Sequence, residues 1–251
     1  MCGRGVDEGE PGTTPTALTT CSNECSNDVV DRADVTAALR ARVQAMEGTR
    51  PARSALPTDP VVRALLPTGL LAGSTYLVVG SGTLAAALLG GVGRDGGWCA
   101  VAGMPTFGVE AAAALGVDPG RTVWVPDLGG QGWPEVVATL VESVQILLLA
   151  PPAVPAPAAI ARIDARLRTS GAALVISSPT PLRWPGLEAT LTASTTRWHG
   201  IDTGRGRLSS RTLDVHVAPR SARPVRVEIA QGPTGGLLLP REQEVTGALA
   251  S

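Results

Sequence analysis

Short apolar runs alternate with helix-like stretches through residues 61–178. Runs rich in Val, Leu, Ile and Ala, separated by amphipathic stretches and glycine or proline turns, are typical of buried parallel strands joined by helices. The pattern predicts strands at 76–79, 98–104, 122–125, 145–150 and 173–177, with helices at 83–89, 107–115 and 155–169 and another from residue 134. We therefore expect an α/β protein whose mostly parallel sheet is flanked by helices.

The pattern changes after residue 178. A proline-punctuated loop covers residues 179–186, and three later segments alternate polar with apolar positions, at 189–201, 212–218 and 225–230. Such alternation is typical of antiparallel strands, and residues 219–224 suit a hairpin turn. We expect these C-terminal strands to extend the sheet and to complete a core domain at residues 61–230.

The N-terminal part of the chain differs from this core. Residues 1–29 have no periodic apolar face and predict a disordered tail. Residues 30–60 predict an amphipathic helix followed by a linker, and the apolar stripe of that helix includes Leu39, Val43 and Met46. The stripe could pack on the chain's own core or on a neighbouring subunit, so these three residues are candidates for self-association.

Composition excludes some classes of function and supports few. The chain has a formal net charge of −1 and no lysine, so bulk charge gives no support for nucleic-acid binding. Cys21 and Cys25 have the spacing of half a zinc site, but no second ligand pair follows at usable distance, and we expect no metal. No apolar run reaches membrane-spanning length and no signal peptide is recognisable, which predicts a cytoplasmic protein.

The glycine-rich turn at residues 80–82 joins the first predicted strand to a helix. In nucleotide-binding proteins such a turn directs backbone N–H groups towards a phosphate. The full pattern G-x-x-x-x-G-K-[ST] needs a lysine, but counting on from Gly80 places its last three positions at Ala85, Ala86 and Ala87. The turn therefore has two interpretations: residual nucleotide binding through backbone N–H groups, or a structural connection without a ligand.

The order of the predicted elements over residues 66–230 resembles the core of the recombinase RecA. RecA-type ATPases have a metal-associated aspartate at the end of the central strand, where this chain has Ala150. They also have a catalytic glutamate just after the second strand, where residues 102–105 contain no carboxylate. With the lysine absent as well, phosphate neutralisation, Mg²⁺ placement and water activation are all removed. The resemblance thus implies a RecA-like core that is not an enzyme and holds no cofactor.

Several short motifs accompany the altered phosphate loop: Val29-Val-Asp-Arg-Ala-Asp-Val, Met46-Glu-Gly, Pro51-Ala-Arg, Ala55-Leu-Pro and Arg211-Thr-Leu-Asp-Val. Through them the chain resembles the actinobacterial ImuA-prime family over residues 29–251. The resemblance implies a non-catalytic accessory or scaffold subunit in the SOS response to DNA damage. The resemblance implies ImuB and an error-prone C-family DNA polymerase as its partners. It also implies a role in translesion synthesis and mutagenesis.

A second functional class remains open from the sequence. A RecA-like regulator of recombination or of cell division would bind a protein target without assisting a polymerase. An interaction of the chain with ImuB, as opposed to a division protein, distinguishes the two classes.

Two surfaces are candidates for contacts with a partner or with DNA. The first contains Arg205, Arg207 and Arg211, which are close in sequence to Trp198 and His199. Arginine pairs with phosphate and tryptophan stacks on bases, so this surface could face DNA. The alternative is a solvated hairpin whose tryptophan belongs to the core.

The second candidate surface contains Leu237, Leu238 and Leu239. These leucines follow a glycine-rich stretch at residues 231–236, which predicts a flexible joint and a flexible C-terminal tail at 231–251. Exposed leucines on such a tail suit partner docking. The alternative is a segment that packs back onto its own sheet.

Overall fold

The computed structural model describes residues 53–202 and 205–239. The predicted tail at 1–29, the stripe of Leu39, Val43 and Met46, and residues 240–251 lie outside the described residues. The described helices are α1 (Pro60–Leu65), α2 (Gly82–Arg94), α3 (Val109–Ala114), α4 (Trp133–Ser143) and α5 (Pro157–Ser170). The described strands are β1 (Thr75–Val79), β2 (Cys99–Ala102), β3 (Thr122–Val125), β4 (Ile146–Leu149), β5 (Ala173–Ser178), β6 (Ala189–Asp202), β7 (Arg205–Pro219), β8 (Val225–Gln231) and β9 (Leu237–Leu238).

These strands form one sheet with the order β3-β2-β4-β5-β1-β6-β7-β8-β9. Wherever two strands from β1 to β6 pair with each other they are parallel, whereas β7, β8 and β9 each pair antiparallel with the preceding strand. The prediction of an α/β fold with a mostly parallel sheet, flanking helices and antiparallel C-terminal strands is confirmed. The sequence identified the parallel strands because buried strands are apolar on both faces.

Helices cover the parallel part of the sheet on both faces. Tyr76 and Val78 of β1 pack in one core cluster with residues of α1, α2 and α3. Leu77 and Val79, which point to the opposite face, pack with residues of α4 and α5. The first cluster continues onto alternate residues of β7, namely Leu213, Val215 and Val217. The antiparallel strands thus share one of the two cores.

Helix α2 packs unusually close to the segment before α1. A Cβ atom added at Gly91 would lie 2.4 Å from the carbonyl oxygen of Pro57 and 2.7 Å from the Cα of Thr58. Glycine is required here because any side chain would collide with backbone. Arg94, at the end of α2, forms an ion pair with Asp59 next to this contact. The two segments are therefore held together by close packing and by a charge pair.

The structure differs from the predicted flexible joint at residues 231–236. The Gly232 N–H donates to the Gly236 oxygen, and the Gly235 N–H donates to the Gly232 oxygen, both at 3.0 Å. Gly235 has φ of +87°, a conformation that glycine adopts readily, so the glycines form a tight turn. Leu237–Leu238 then pairs with β8 as β9, and the core domain extends beyond residue 230 to at least residue 239.

Candidate functional site

Only Gly80 and Ser81 separate β1 from α2. Gly80 has φ of +81°, and its N–H donates to the Ser178 oxygen at 2.9 Å. The Ser81 side chain caps the helix by accepting from the Leu84 N–H at 3.2 Å. The turn is therefore a capped strand-to-helix connection, and it is too short to wrap around a phosphate as a longer glycine-rich loop does.

The three alanines at the expected Gly-Lys-Thr positions lie inside α2. Ala85, Ala86 and Ala87 are all buried and belong to the core cluster on that face of the sheet. Helix α2 has already begun at Gly82, so these residues follow its first turn and pack against the sheet. Their place in the structure is that of core side chains.

A cleft of about 470 Å³ lies at the carboxyl ends of β1, β2, β4 and β5. In open α/β sheets this edge is where ligands bind. Ala150 lines the cleft, together with hydroxyl groups from Ser81, Thr106 and Ser177, and none of the lining residues has an ionisable side chain. The cleft can supply hydrogen bonds, but its lining carries no charge for a phosphate or a metal ion.

A carboxylate at this edge of the sheet, Asp127, is hydrogen-bonded within its own loop. Asp127 follows β3 and lines a neighbouring cleft that also includes Ala150. Its Oδ1 accepts from the Gly129 N–H at 2.8 Å. Within residues 53–202 and 205–239, no group of three or more His, Cys, Asp or Glu side chains could hold a metal ion. Cys21 and Cys25 lie outside these ranges.

Arg211, on β7, contacts three other elements of the fold. It precedes Leu213 on the core-facing side of β7, and its Nε donates to Gln231 Oε1 of β8 at 2.7 Å. Its Nη2 donates to Thr83 Oγ1 in the first turn of α2, and its guanidinium lies 5.2 Å from the ring centroid of Trp198 on β6. Partial burial lowers the pKa of Arg211 from its ordinary value. A charged group is therefore fixed at the junction of β6, β7, β8 and α2.

The predicted cluster of arginines is only partly brought together. Arg211 lies at the junction, whereas Arg207 is exposed on the outer part of the β6–β7 hairpin, where Arg205 begins β7. Trp198 pairs with Arg211 across the hairpin and is 54% exposed, so it is not a core residue. The prediction that these arginines contact a partner or DNA remains a prediction.

The leucines of the predicted tail are in a different position. Leu237 and Leu238 form β9, and Leu237 and Leu239 pack against the core cluster that contains α2. All three are partly buried. Their side chains thus contribute to the chain's own fold, which corresponds to the alternative of a segment packed back onto its sheet.

Sequence reasoning missed Thr83 and Gln231 as partners of Arg211. Thr83 is 128 positions away, and nothing in the sequence links the two residues. Gln231 could not be found by counting either, because counting outward from the predicted turn at 219–224 aligns Ala218 with Val225 and Arg211 with Gly232. The observed register is one residue away, with Val217 opposite Val225 and Arg211 opposite Gln231.

These features define an α/β protein with an uncharged carboxyl-edge cleft and a basic hairpin beside it. The family model of the MT3502 N-terminal domain matches residues 64–186, which is just under half of the chain. The chain is also similar to an uncharacterized protein of Mycobacterium tuberculosis, Rv3395c. The two are 28% identical over 158 residues, covering 60% of this chain and 76% of the mycobacterial protein. The family match ends before β6, so the hairpin lies beyond it.

No helix in the described parts of the chain has the length and apolar character needed to cross a membrane.

Proposed function

We propose that this chain is a non-catalytic accessory or scaffold subunit of the ImuA-prime type. In this role it works with ImuB and an error-prone C-family DNA polymerase in DNA-damage-induced translesion synthesis and mutagenesis. The chain contributes binding surfaces on a RecA-like sheet and performs no nucleotide chemistry of its own.

The observation that carries this proposal is the carboxyl-edge cleft. A nucleotide-hydrolysing site at this edge needs a cation for the phosphates and carboxylates for Mg²⁺ and water. Here a two-residue capped turn, buried alanines in α2 and Ala150 occupy those places, and the chain has no lysine. The likeness to a mycobacterial protein supports an actinobacterial family, and the ImuA-prime assignment itself comes from the sequence motifs.

The physical argument for a scaffold follows from the packing. Strands β1, β2 and β4 are buried along their whole length, and close contacts such as that at Gly91 leave α2 little freedom to move. Close-packed interiors transmit force and resist deformation. A rigid sheet of this kind can hold partner-binding surfaces at fixed separation without any energy from a nucleotide.

Deletion of the gene in its host tests the proposal. We expect damage-induced mutation frequency to fall to the level of a strain without the error-prone polymerase, and the double deletion to fall no further. The purified full chain should co-elute with ImuB in size-exclusion chromatography and release no heat on titration with Mg-ATP. Unchanged mutation frequency, combined with altered filamentation or recombination, would instead assign the chain to the regulator class.

A further inference from the structure

The β6–β7 hairpin extends beyond the rest of the sheet. Strand β6 pairs with β1 only as far as Thr192, and β7 pairs with β8 only as far as Arg211. We call residues 193–202 and 205–211 the arm. In its outer part, the two strands of the arm have only each other as strand partners within the described residues. Isolated two-stranded ribbons are marginally stable in water, so an extended one is a feature that calls for an explanation.

Positive charge is concentrated on the arm. Residues 193–211 contain four arginines and one aspartate, a net charge of +3, whereas the whole chain has a net charge of −1. Arg197 and Arg207 are exposed, and neither forms an ion pair with a described carboxylate. The arm therefore presents cations that are free to pair with an anionic ligand, although the protein as a whole is not basic.

The arm also exposes large apolar side chains. Trp198 is 54% exposed, and Ile201 and Leu208 are exposed to a similar degree. Arg211 lies over the Trp198 ring and is itself held by Gln231 and Thr83. The ring is thus held in one orientation while the rest of its surface is open to solvent. A fixed, half-exposed aromatic ring on a ribbon that also carries free cations suits stacking on an unpaired base.

We propose that the arm binds single-stranded nucleic acid, with a base stacked on Trp198 and phosphates paired with Arg197 and Arg207. An acidic protein segment would also pair with the arginines, but a tryptophan ring clamped by a cation favours a stacked base. The inference does not depend on the proposed function, since either class of RecA-like accessory protein could hold a strand in this way.

Fluorescence anisotropy tests the proposal with the full chain and a fluorescein-labelled oligothymidylate of about 20 nucleotides at low salt. Trp198→Ala should weaken binding about tenfold, because base stacking on an aromatic side chain supplies that much affinity. Trp198→Phe should restore most of it. The matched control is Trp98→Ala, since Trp98 is also about half exposed but lies just before β2.

The salt dependence of the same binding tests the arginines. The double variant Arg197→Ala/Arg207→Ala should reduce the slope of log K against log salt by about 1.4, because each lost cation removes about 0.7 for a single strand. The control is Arg220→Ala/Arg223→Ala, which removes two exposed arginines at the opposite end of the hairpin. This control should leave the slope unchanged.

Several outcomes would overturn the proposal. These are no binding of the oligonucleotide at low salt, equal affinity for a duplex of the same length, or unchanged affinity in Trp198→Ala. If the arm variants keep oligonucleotide binding but lose co-elution with ImuB, the arm is a protein interface and the proposal is wrong. Circular dichroism and thermal melting check the fold of each variant, and Trp198→Phe decides the result if Trp198→Ala is less stable.

Discussion

The carboxyl-edge cleft and the arm have opposite properties. The cleft has the backbone geometry of a ligand site, with a glycine turn, a helix N-terminus and the ends of parallel strands, but no ionisable side chain lines it. The arm has the charge and the aromatic ring that a ligand site needs, but no enclosing walls. If the arm binds a ligand as proposed above, the interaction chemistry lies in the antiparallel half of this sheet, away from the cleft.

This contrast has a physical basis in the packing of the two regions. Strands covered by helices on both faces must be apolar, and charge placed there would lose hydration without compensation. A ribbon in water has no such restriction. Polar and charged side chains can therefore be placed on the arm at little cost to stability, whereas the parallel part of the sheet tolerates few such substitutions.

The largest expected effect is a loss of stability at alkaline pH. It tests how completely water is excluded from the core around the parallel strands. Burial raises the pKa of Tyr76 from 10.0 to about 12 and that of Cys99 from 9.0 to about 12. Because both groups are neutral when protonated, their contribution is intact below pH 9 and is lost as the pH rises towards 12. The combined loss in the free energy of unfolding is on the order of 5 kcal/mol.

Urea unfolding at about pH 8 and about pH 11 measures this effect. Tyr76→Phe loses the hydroxyl that accepts from the Leu71 N–H at 2.7 Å, so it should be less stable at neutral pH. Its stability should nevertheless depend less steeply on pH than that of the wild type. Equal pH dependence of the two proteins would mean that Tyr76 ionises while the chain is folded.

The next largest effect is expected at Gly91. Gly91→Ala places a Cβ against the backbone of Pro57 and Thr58 and should cost up to about 3 kcal/mol, even though alanine favours a helix. Gly82→Ala is the matched control on the same helix, because a Cβ at Gly82 meets no atom within 4 Å. Chemical denaturation compares the two. A stable Gly91→Ala would show that the segment before α1 moves away easily.

The smallest expected effect comes from a comparison of leucine substitutions at β9 with one on the arm. The double variant Leu237→Ala/Leu239→Ala should lower the free energy of unfolding by about 2 kcal/mol, because both side chains pack against the core. Leu208→Ala, on the arm, should change it by less than about 0.5 kcal/mol, since Leu208 is about half exposed. Thermal melting measures both. Equal effects would mean that β9 contributes no more to the fold than the arm does.

The sequence predicted the parallel sheet well and the C-terminal end poorly. Strand β3 was predicted with its observed bounds, because a short run of β-branched and aromatic residues is typical of a strand even at the sheet edge, where Val123 and Trp124 are exposed. The turn at residues 231–236 was misread because glycine suits both flexible joints and tight turns, and only hydrogen bonds distinguish them. Composition alone therefore could not show that Leu237 packs against the core.

The candidate surfaces were predicted as residue types but not as an arrangement. Arginines near Trp198 were visible in the sequence, yet the pairing of Trp198 with Arg211 depends on the register of a hairpin with two irregularities. The contact between Arg211 and Thr83 depends on the whole sheet bringing β7 next to α2. Such long-range contacts follow from the tertiary structure, and no local sequence pattern predicts them.

The outer part of the arm is joined to the sheet at one end only, and this has a consequence for local unfolding of the native protein. Among the described residues, those in the outer part of the arm pair with one neighbouring strand only, so this ribbon can open while the remaining sheet stays intact. A protease that cuts after arginine could then cleave at Arg207 in the native protein. The two fragments would stay together, because the inner parts of β6 and β7 remain paired within the sheet.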